Sequence, residues 1–269
     1  MKISVIIPTY NRADKIQKSI ESVYFQEGKG DLFEISQIII MDDCSTDNTK
    51  ELIEELQKKY ENLLYYRQDK NGGSAKARNR AMREVVSEKW VAFQDSDDVW
   101  NKDKLKEMCL YIEKHPDAQL YSHRYTALTA EDEAVEVGID EREDYLEELA
   151  VRNFIGSPTF FVDKDAFMDV GGLDENITAL EDWEFLVRFA SKYKIRVVPK
   201  SLMQVDLISE GMSSDIGKYY DSRCYIIAKN RQILLERNLF DKAVESLLVS
   251  AKKNGVLENV GRILEAYLK

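Results

Sequence analysis

The chain is poor in cysteine, histidine and uninterrupted apolar sequence, and it carries no excess of positive charge. Its three cysteines in 269 residues, Cys44, Cys109 and Cys224, are odd in number and far apart. That spacing suits neither a disulfide framework nor a zinc site, so a reducing, cytoplasmic setting is the simpler expectation. The two histidines, His115 and His123, stand alone in their segments and receive no role. No run approaches the roughly 18 apolar residues of a spanning helix. The apolar start, KISVIIP, is too short for a signal peptide and is broken by Pro8. The expectation is a soluble protein, with peripheral contact at the inner face of a membrane left open. With 38 basic and 49 acidic side chains the net charge is −11. This argues against nonspecific nucleic-acid binding, which needs a basic footprint.

What the chain does have is a core and a rhythm. Hydrophobic residues make up 44% of it, enough to exclude global disorder. KISVIIP (2–8), EISQIIIM (34–41), NLLYYR (62–67) and KWVAFQ (89–94) are short apolar or β-branched runs of the kind found in buried strands. Between them lie helical patterns: Ile16, Ile20, Val23 and Tyr24 at helical spacing, then 47–60 with Asp47 as N-cap, then 72–86, then 102–115. Alternating β and α units predict a mostly parallel sheet with helices on both faces. Ligands of such sheets bind beyond the carboxyl ends of the strands.

From about residue 117 the pattern loosens. AQLYSHRYTAL (118–128) reads as a strand, and 129–150 as an acidic excursion ending in a helix. SPTFFVDKDAF (157–167) reads as strand then helix, 180–193 as a helix and KIRVVP (194–199) as a strand. The tail from about 218 is helical. Phe240, Ala243, Val244, Leu247, Leu248 and Ala251 form one apolar stripe, and Val256, Val260, Ile263, Leu264 and Tyr267 another. They are expected to pack on each other or on the main body. A partner surface, including a homodimer through these helices, is the alternative.

The chemistry concentrates at strand ends. Asp42 and Asp43 follow the second strand. Asp95, Asp97 and Asp98 crowd into four positions after the fourth. Two carboxylates about 4 Å apart repel by roughly 4 kcal/mol at an effective dielectric near 20, so either water or a cation separates them. A hard cation such as Mg2+ takes carboxylate oxygens together with substrate phosphates. Asp43 can accept from a base N–H or a ribose hydroxyl; the structural alternative is a polar loop. NGGSAKARN (71–79) offers backbone N–H groups at a helix start, which suit phosphate. Arg78 stands between a structural role and a phosphate contact.

The ordered set SVIIPTYNR (4–12), MDDCSTDNT (41–49), NGGSAKARN (71–79), FQDSDD (93–98), VGGLDE (170–175) and EDWEFLVR (181–188) resembles family 2 glycosyltransferases of the GT-A fold. The resemblance implies an α/β, Rossmann-like GT-A domain with a mostly parallel central sheet flanked by helices. It would occupy 1–216, with a nucleotide half to about 116 and an acceptor half from 117, followed by a C-terminal helical extension over 217–269. It implies an inverting transferase moving a sugar from a nucleotide diphosphate donor, UDP being the expected carrier. The acceptor would be a hydroxyl of a glycan or lipid-linked molecule in cell-envelope polysaccharide synthesis. Pro8, Thr9 and Tyr10 would flank the nucleoside, with Asp43, Gly73, Arg78 and Asp95 completing the donor site. Asp97 and Asp98 would hold Mg2+ or Mn2+, and Asp182 would be the general base. Burial among Phe185, Leu186 and Phe189 would raise its pKa, while the helix N-terminus would lower it. On the residues alone, Glu181 and Asp182 could instead complement the helix dipole.

The chain departs from the family at the Arg-x-His pair, where Asp206 and Ile208 stand, and at a proline after the metal motif, where Lys102 stands. Residues 209–218, with Gly211 and Gly217, are a candidate lid. The alternative function is a nucleotide-sugar binding module without transfer. A nucleotidyltransferase needs a glycine-rich basic loop after its first strand, and PTYNRADK has no glycine. A phosphoacceptor receiver domain keeps its acidic pair after the first strand, which here ends in Pro8.

Overall fold

In the computed structural model, which describes residues 1–128, 134–206 and 215–269, the first half alternates as expected. It runs β1 (Lys2–Thr9), α1 (Ile16–Tyr24), β2 (Glu34–Asp42), α2 (Thr49–Gln57), β3 (Leu63–Arg67), α3 (Ser74–Glu84), β4 (Trp90–Phe93), a two-residue β5 (Val99–Trp100) and α4 (Lys104–Lys114). The second half runs β6 (Leu120–Leu128), β7 (Ala134–Val137), α5 (Leu146–Leu149), a 3-10 turn at Ser157–Thr159, β8 (Phe161–Asp163), α6 (Lys164–Asp169), α7 (Glu181–Lys192) and β9 (Ile195–Asp206). Four helices close the chain: α8 (Ile216–Lys229), α9 (Arg231–Glu236), α10 (Phe240–Lys253) and α11 (Leu257–Leu268).

The strands order β3-β2-β1-β4-β8-β6-β9-β5, with β7 on the edge of β6. β1 to β4 are mutually parallel. β8 runs antiparallel between β4 and β6, β5 is antiparallel to β9, and β6 and β9 are parallel. The sheet is thus wholly parallel in the half that alternates with helices and mixed in the other. β5 and β7 lie outside the strands read from sequence: β5 has two residues, too few for a periodicity, and β7 falls within the acidic stretch 129–150 read as an excursion.

Pro8 lies inside β1 and costs no ladder bond. The Ile6 carbonyl accepts from Gln94 and the Thr9 carbonyl from Asp43, so Pro8 faces the β4 side. Pairing with β4 has already ended there, at Ile6 and Phe93. A proline is tolerated where no partner needs its N–H.

Successive side chains of β1 feed opposite cores. Ile3, Val5 and Ile7 join one packed by α1, α2 and α4. Ile6 joins the other, packed by α3, α6 and α7. Each such burial contributes roughly 1.5–3 kcal/mol, which is why the strand reads as an unbroken apolar run. In the tail, Ala243, Leu247, Ala251, Val260 and Leu264 pack against Tyr220, Cys224 and Ile227 of α8. The expected stripes therefore form a core of their own. Ile226, on the same helix, packs into the α7 side of the main core. Among the described residues no helix is long and apolar enough to cross a membrane.

Candidate active site

A cleft of about 790 Å³ opens over the carboxyl end of β1. β2 and β4 flank β1, so the residues that follow all three strands reach one rim. The facing wall comes from Tyr125 on β6, Val137 on β7, loop 153–158 and the start of α7. Pro8, Thr9, Tyr10, Asp43, Gly73, Arg78, Asp95, Asp97 and Asp182 all line this cleft. The sequence expected all nine at one site, and the structure brings them together. Asp98, expected as a cation ligand, does not line the cleft.

The two adjacent acids after β2 have separate jobs. Asp42 is fully buried and accepts from the Ser45 N–H (2.7 Å), the Tyr65 hydroxyl (2.5 Å) and Arg67 (3.0 Å). It braces the turn. Asp43 faces the cleft. Its Oδ1 accepts from Gln68 (2.6 Å) and the Gly72 N–H (2.8 Å), and its Oδ2 from the Gly73 N–H (2.6 Å). The glycine N–H groups expected to be free for phosphate are therefore spent on Asp43. A carboxylate oxygen has two acceptor sites, so Oδ2 keeps one for a ligand. Gly73 has φ +86°, a conformation in which a Cβ is strained. Asp47 accepts from Thr49 N–H (3.1 Å), so it caps α2 from one residue further out than the last non-helical position, Asn48.

Arg78 resolves toward structure. α3 lies close on the sheet because Ala75, Ala77 and Ala81 line its inner face, and the guanidinium fills the space left. It is 2% exposed, pairs with Asp95 and lies 4.0 Å from Glu181. Glu181 also accepts from Ser74 (3.1 Å). One buried cation thus ties the ends of β4, α3 and α7 together.

Asp97 pairs with Arg12 at 3.3 Å and is 23% exposed. Asp98 is buried. Burial, then the charges of Asp95 and Asp97, push its carboxyl up to about 8. Lys104, itself buried and pushed well below the ordinary lysine value by that burial, donates to the Pro158 carbonyl (3.2 Å) and lies 4.1 Å from the Trp100 ring centre. Among the described residues no three metal-binding side chains converge. The donor set still fits a hard cation, because Asp97 presents carboxylate oxygen at the cleft and Mg2+ or Mn2+ completes its shell with diphosphate and water.

Asp182 is the second residue of α7, whose N-cap Leu180 is a non-glycine residue at φ +62°, a conformation that costs about 1–3 kcal/mol and clusters at functional sites. Its carboxylate accepts from Trp183 N–H (2.7 Å), Asn153 (3.2 Å) and Ser157 N–H (3.2 Å). Burial pushes its carboxyl up to about 7 with help from Glu181, against the pull of those N–H groups and of Arg78. The expected competition between burial and the helix terminus is thus won by burial.

Sequence reasoning missed Arg12, Asn71, Ser74, Tyr125 and the 153–158 loop. The first three lay inside the quoted motifs, in which only their neighbours Pro8, Thr9, Tyr10, Gly73 and Arg78 were given roles. NFIGSP carries the Gly/Ser/Pro cluster of a loop before a strand, but nothing local says that it returns to Asp182. Asn79 was also missed: it clamps both the N–H and the carbonyl of Leu173. His123 is buried and bonds the Arg124 carbonyl, and His115 packs on Tyr111; neither lines the cleft. Asp206 ends β9. Ile208, Gly211 and the lid positions 209–214 lie outside the described residues, while Gly217 sits in the first turn of α8, capped by Asp215.

A sheet of this order, with acids from two strand ends sharing a cleft with a helix-borne carboxylate, defines an α/β fold of the GT-A type. The model of glycosyl transferase family 2 matches residues 4–173, more than half of the chain, and the chain belongs to that family. A Bacillus subtilis glycosyltransferase provisionally assigned to teichuronic acid biosynthesis, TuaG, is 32% identical over 164 residues, 61% of this chain and 62% of its own. The poly(ribitol-phosphate) beta-N-acetylglucosaminyltransferase TarS of Staphylococcus aureus is 36% identical over 115 residues, 43% of this chain and 19% of its own. The matched stretch thus spans less than two thirds of either relative. The crystal structure of S. aureus TarS 1-349 in complex with UDP-GlcNAc superposes with a TM-score of 0.71 at 22% identity, covering 99% of this chain and 91% of that one. The mannosyltransferase PcManGT from Pyrobaculum calidifontis, in complex with GDP-Man and Mn2+, gives 0.65 at 16% identity, covering 99% and 84%. Likeness at these identities shows the fold.

Proposed function

We propose that this chain is an inverting glycosyltransferase that moves a sugar from a nucleotide diphosphate donor, a UDP-sugar first, to a hydroxyl of a cell-envelope glycan or lipid-linked acceptor. The observation that carries the reading is the cleft itself: Asp43, Asp95 and Asp97 line it together with Asp182, whose carboxyl is pushed up to about 7. The names of the relatives support the envelope context.

The residues divide the work. Pro8, Thr9 and Tyr10 flank the nucleoside. The Thr9 hydroxyl is buried with no hydrogen-bond partner among the described residues, as a group awaiting a ligand would be. Asp43 accepts from the base, and Gly73 orients Asp43. Asp95, fixed by Arg78, faces the ribose. Asp97 is the carboxylate placed to hold Mg2+ or Mn2+, with Asp98 behind it. When bound, the cation would offset charge on the leaving diphosphate. Asp182 accepts the proton of the acceptor hydroxyl. The acceptor oxygen bonds to the anomeric carbon from the side opposite the phosphate, and the carbon–oxygen bond to the diphosphate breaks. A single displacement of this kind inverts the configuration. We assign residues 1–216 to this activity and 217–269 to a helical extension.

Thermal shift against a panel of nucleotide sugars, with and without Mn2+, tests the reading. One donor should stabilise the protein in a metal-dependent way, and Asp182→Asn should keep that shift while losing transfer. No shift with any donor sinks the reading. A shift without turnover under any acceptor would favour the binding module instead.

A further inference from the structure

The cleft is acidic although its proposed ligand is an anion. Asp43, Asp95, Asp97, Glu181 and Asp182 border it, against two basic side chains among the described residues, Arg12 and Arg78. Segments 129–133 and 207–214 contain no Lys, Arg or His, so they add no positive charge wherever they lie. Arg78 is committed, buried between Asp95 and Glu181. Arg12 is a different kind of cation. Its backbone is anchored: its N–H donates to the Thr49 hydroxyl (3.2 Å), and its carbonyl accepts from Lys15 and Ile16 at the start of α1. Its side chain is 39% exposed, and its guanidinium meets Asp97 through one 3.3 Å contact. Half-exposed pairs of this sort hold weakly, so the side chain changes partner at little cost.

We infer that Arg12 is an exchangeable counter-ion of Asp97. A divalent cation and the guanidinium compete for this carboxylate, and the displaced guanidinium becomes the positive charge that the cleft offers to a diphosphate. The inference rests on the donor-site reading above and names a residue for it. The two linked equilibria have opposite signs. Loss of Arg12 frees Asp97 for the metal and removes a charge-assisted donor from the diphosphate.

Arg12→Met keeps an apolar stem and removes the charge. Binding of Mn2+ alone, read by electron paramagnetic resonance, should tighten about two- to fivefold, the scale of an exposed ion pair. Binding of inorganic pyrophosphate to Mn2+-loaded protein, where the guanidinium is displaced from Asp97, should weaken about tenfold by calorimetry, as for a hydrogen bond to a charged group. Arg12→Lys, which keeps the charge, should stay nearer wild type in both. If Arg12→Met leaves both affinities unchanged, or weakens Mn2+ and pyrophosphate together, the exchange is wrong and the donor site stands. If wild-type protein retains neither probe, the donor-site reading falls and this one with it.

Discussion

Gly73 donates its backbone N–H to Oδ2 of Asp43 at 2.6 Å. The bond joins the end of β2 to the start of α3 and sets the direction of the carboxylate at the cleft. It also separates two neighbouring glycines. Gly73, at φ +86° and ψ 167°, occupies a region essentially reserved for glycine. Gly73→Ala should lower unfolding free energy by about 1–3 kcal/mol in urea titrations. At Gly72 an added Cβ meets only the flexible Lys76 side chain. Gly72→Ala should therefore cost under about 0.5 kcal/mol, within the range of ordinary surface changes.

Arg78 should prove indispensable to folding. Removing one partner of a buried pair leaves the other charge uncompensated, at about 3–5 kcal/mol. Arg78→Ala should lose that much stability by chemical denaturation. Arg78→Lys should recover only part of it, since a single ammonium cannot serve Asp95 and Glu181 with the guanidinium's geometry.

Asp182 makes a prediction about pH. As the proposed base it must be unprotonated, and burial pushes its carboxyl up to about 7. Turnover per enzyme at low substrate should fall about tenfold per pH unit below 7 and level off above it. Asn153 donates to the ionised form, so Asn153→Ala should move the limb to higher pH; an unmoved limb would separate Asn153 from the base.

The same group carries a stability cost of opposite trend. Its folded pKa lies above the ordinary 3.8, so the folded state binds the proton more tightly and the fold is penalised as pH rises from 4 to 7. Asp182→Asn lifts the penalty. It should raise the unfolding free energy more at pH 8 than at pH 4, by about 1–2 kcal/mol after allowance for partial exposure, as read by urea titration at the two pH values.

Lys229 of α8 reaches both Asp174 (2.6 Å) and Glu184 (3.1 Å), and Glu184 is fully buried on α7, the helix that carries Asp182. Arg188 shares Glu184. Lys229→Met should cost about 1–3 kcal/mol, the desolvation of a group left short of a partner, in a melting curve that remains a single transition. Two separate transitions would show that the C-terminal helices fold apart from the sheet.

The sequence by itself determined the alternation of strands and helices, the crowding of acids at strand ends and the apolar stripes of the tail. These are local: a periodicity, a β-branched run or the residue that follows a strand is visible within ten positions. Only the tertiary structure decided which acid does what. Asp42 and Asp43 are neighbours, yet one is sealed under Tyr65 and Arg67 while the other faces the cleft. Asp97 lines the cleft, and Asp98 lies behind it. Arg78 becomes a buried strut because Glu181, more than a hundred residues on, arrives beside it. The physical reason is that consecutive side chains leave the backbone in different directions, and burial, charge partners and acceptor sites come from segments that meet only when the sheet has formed.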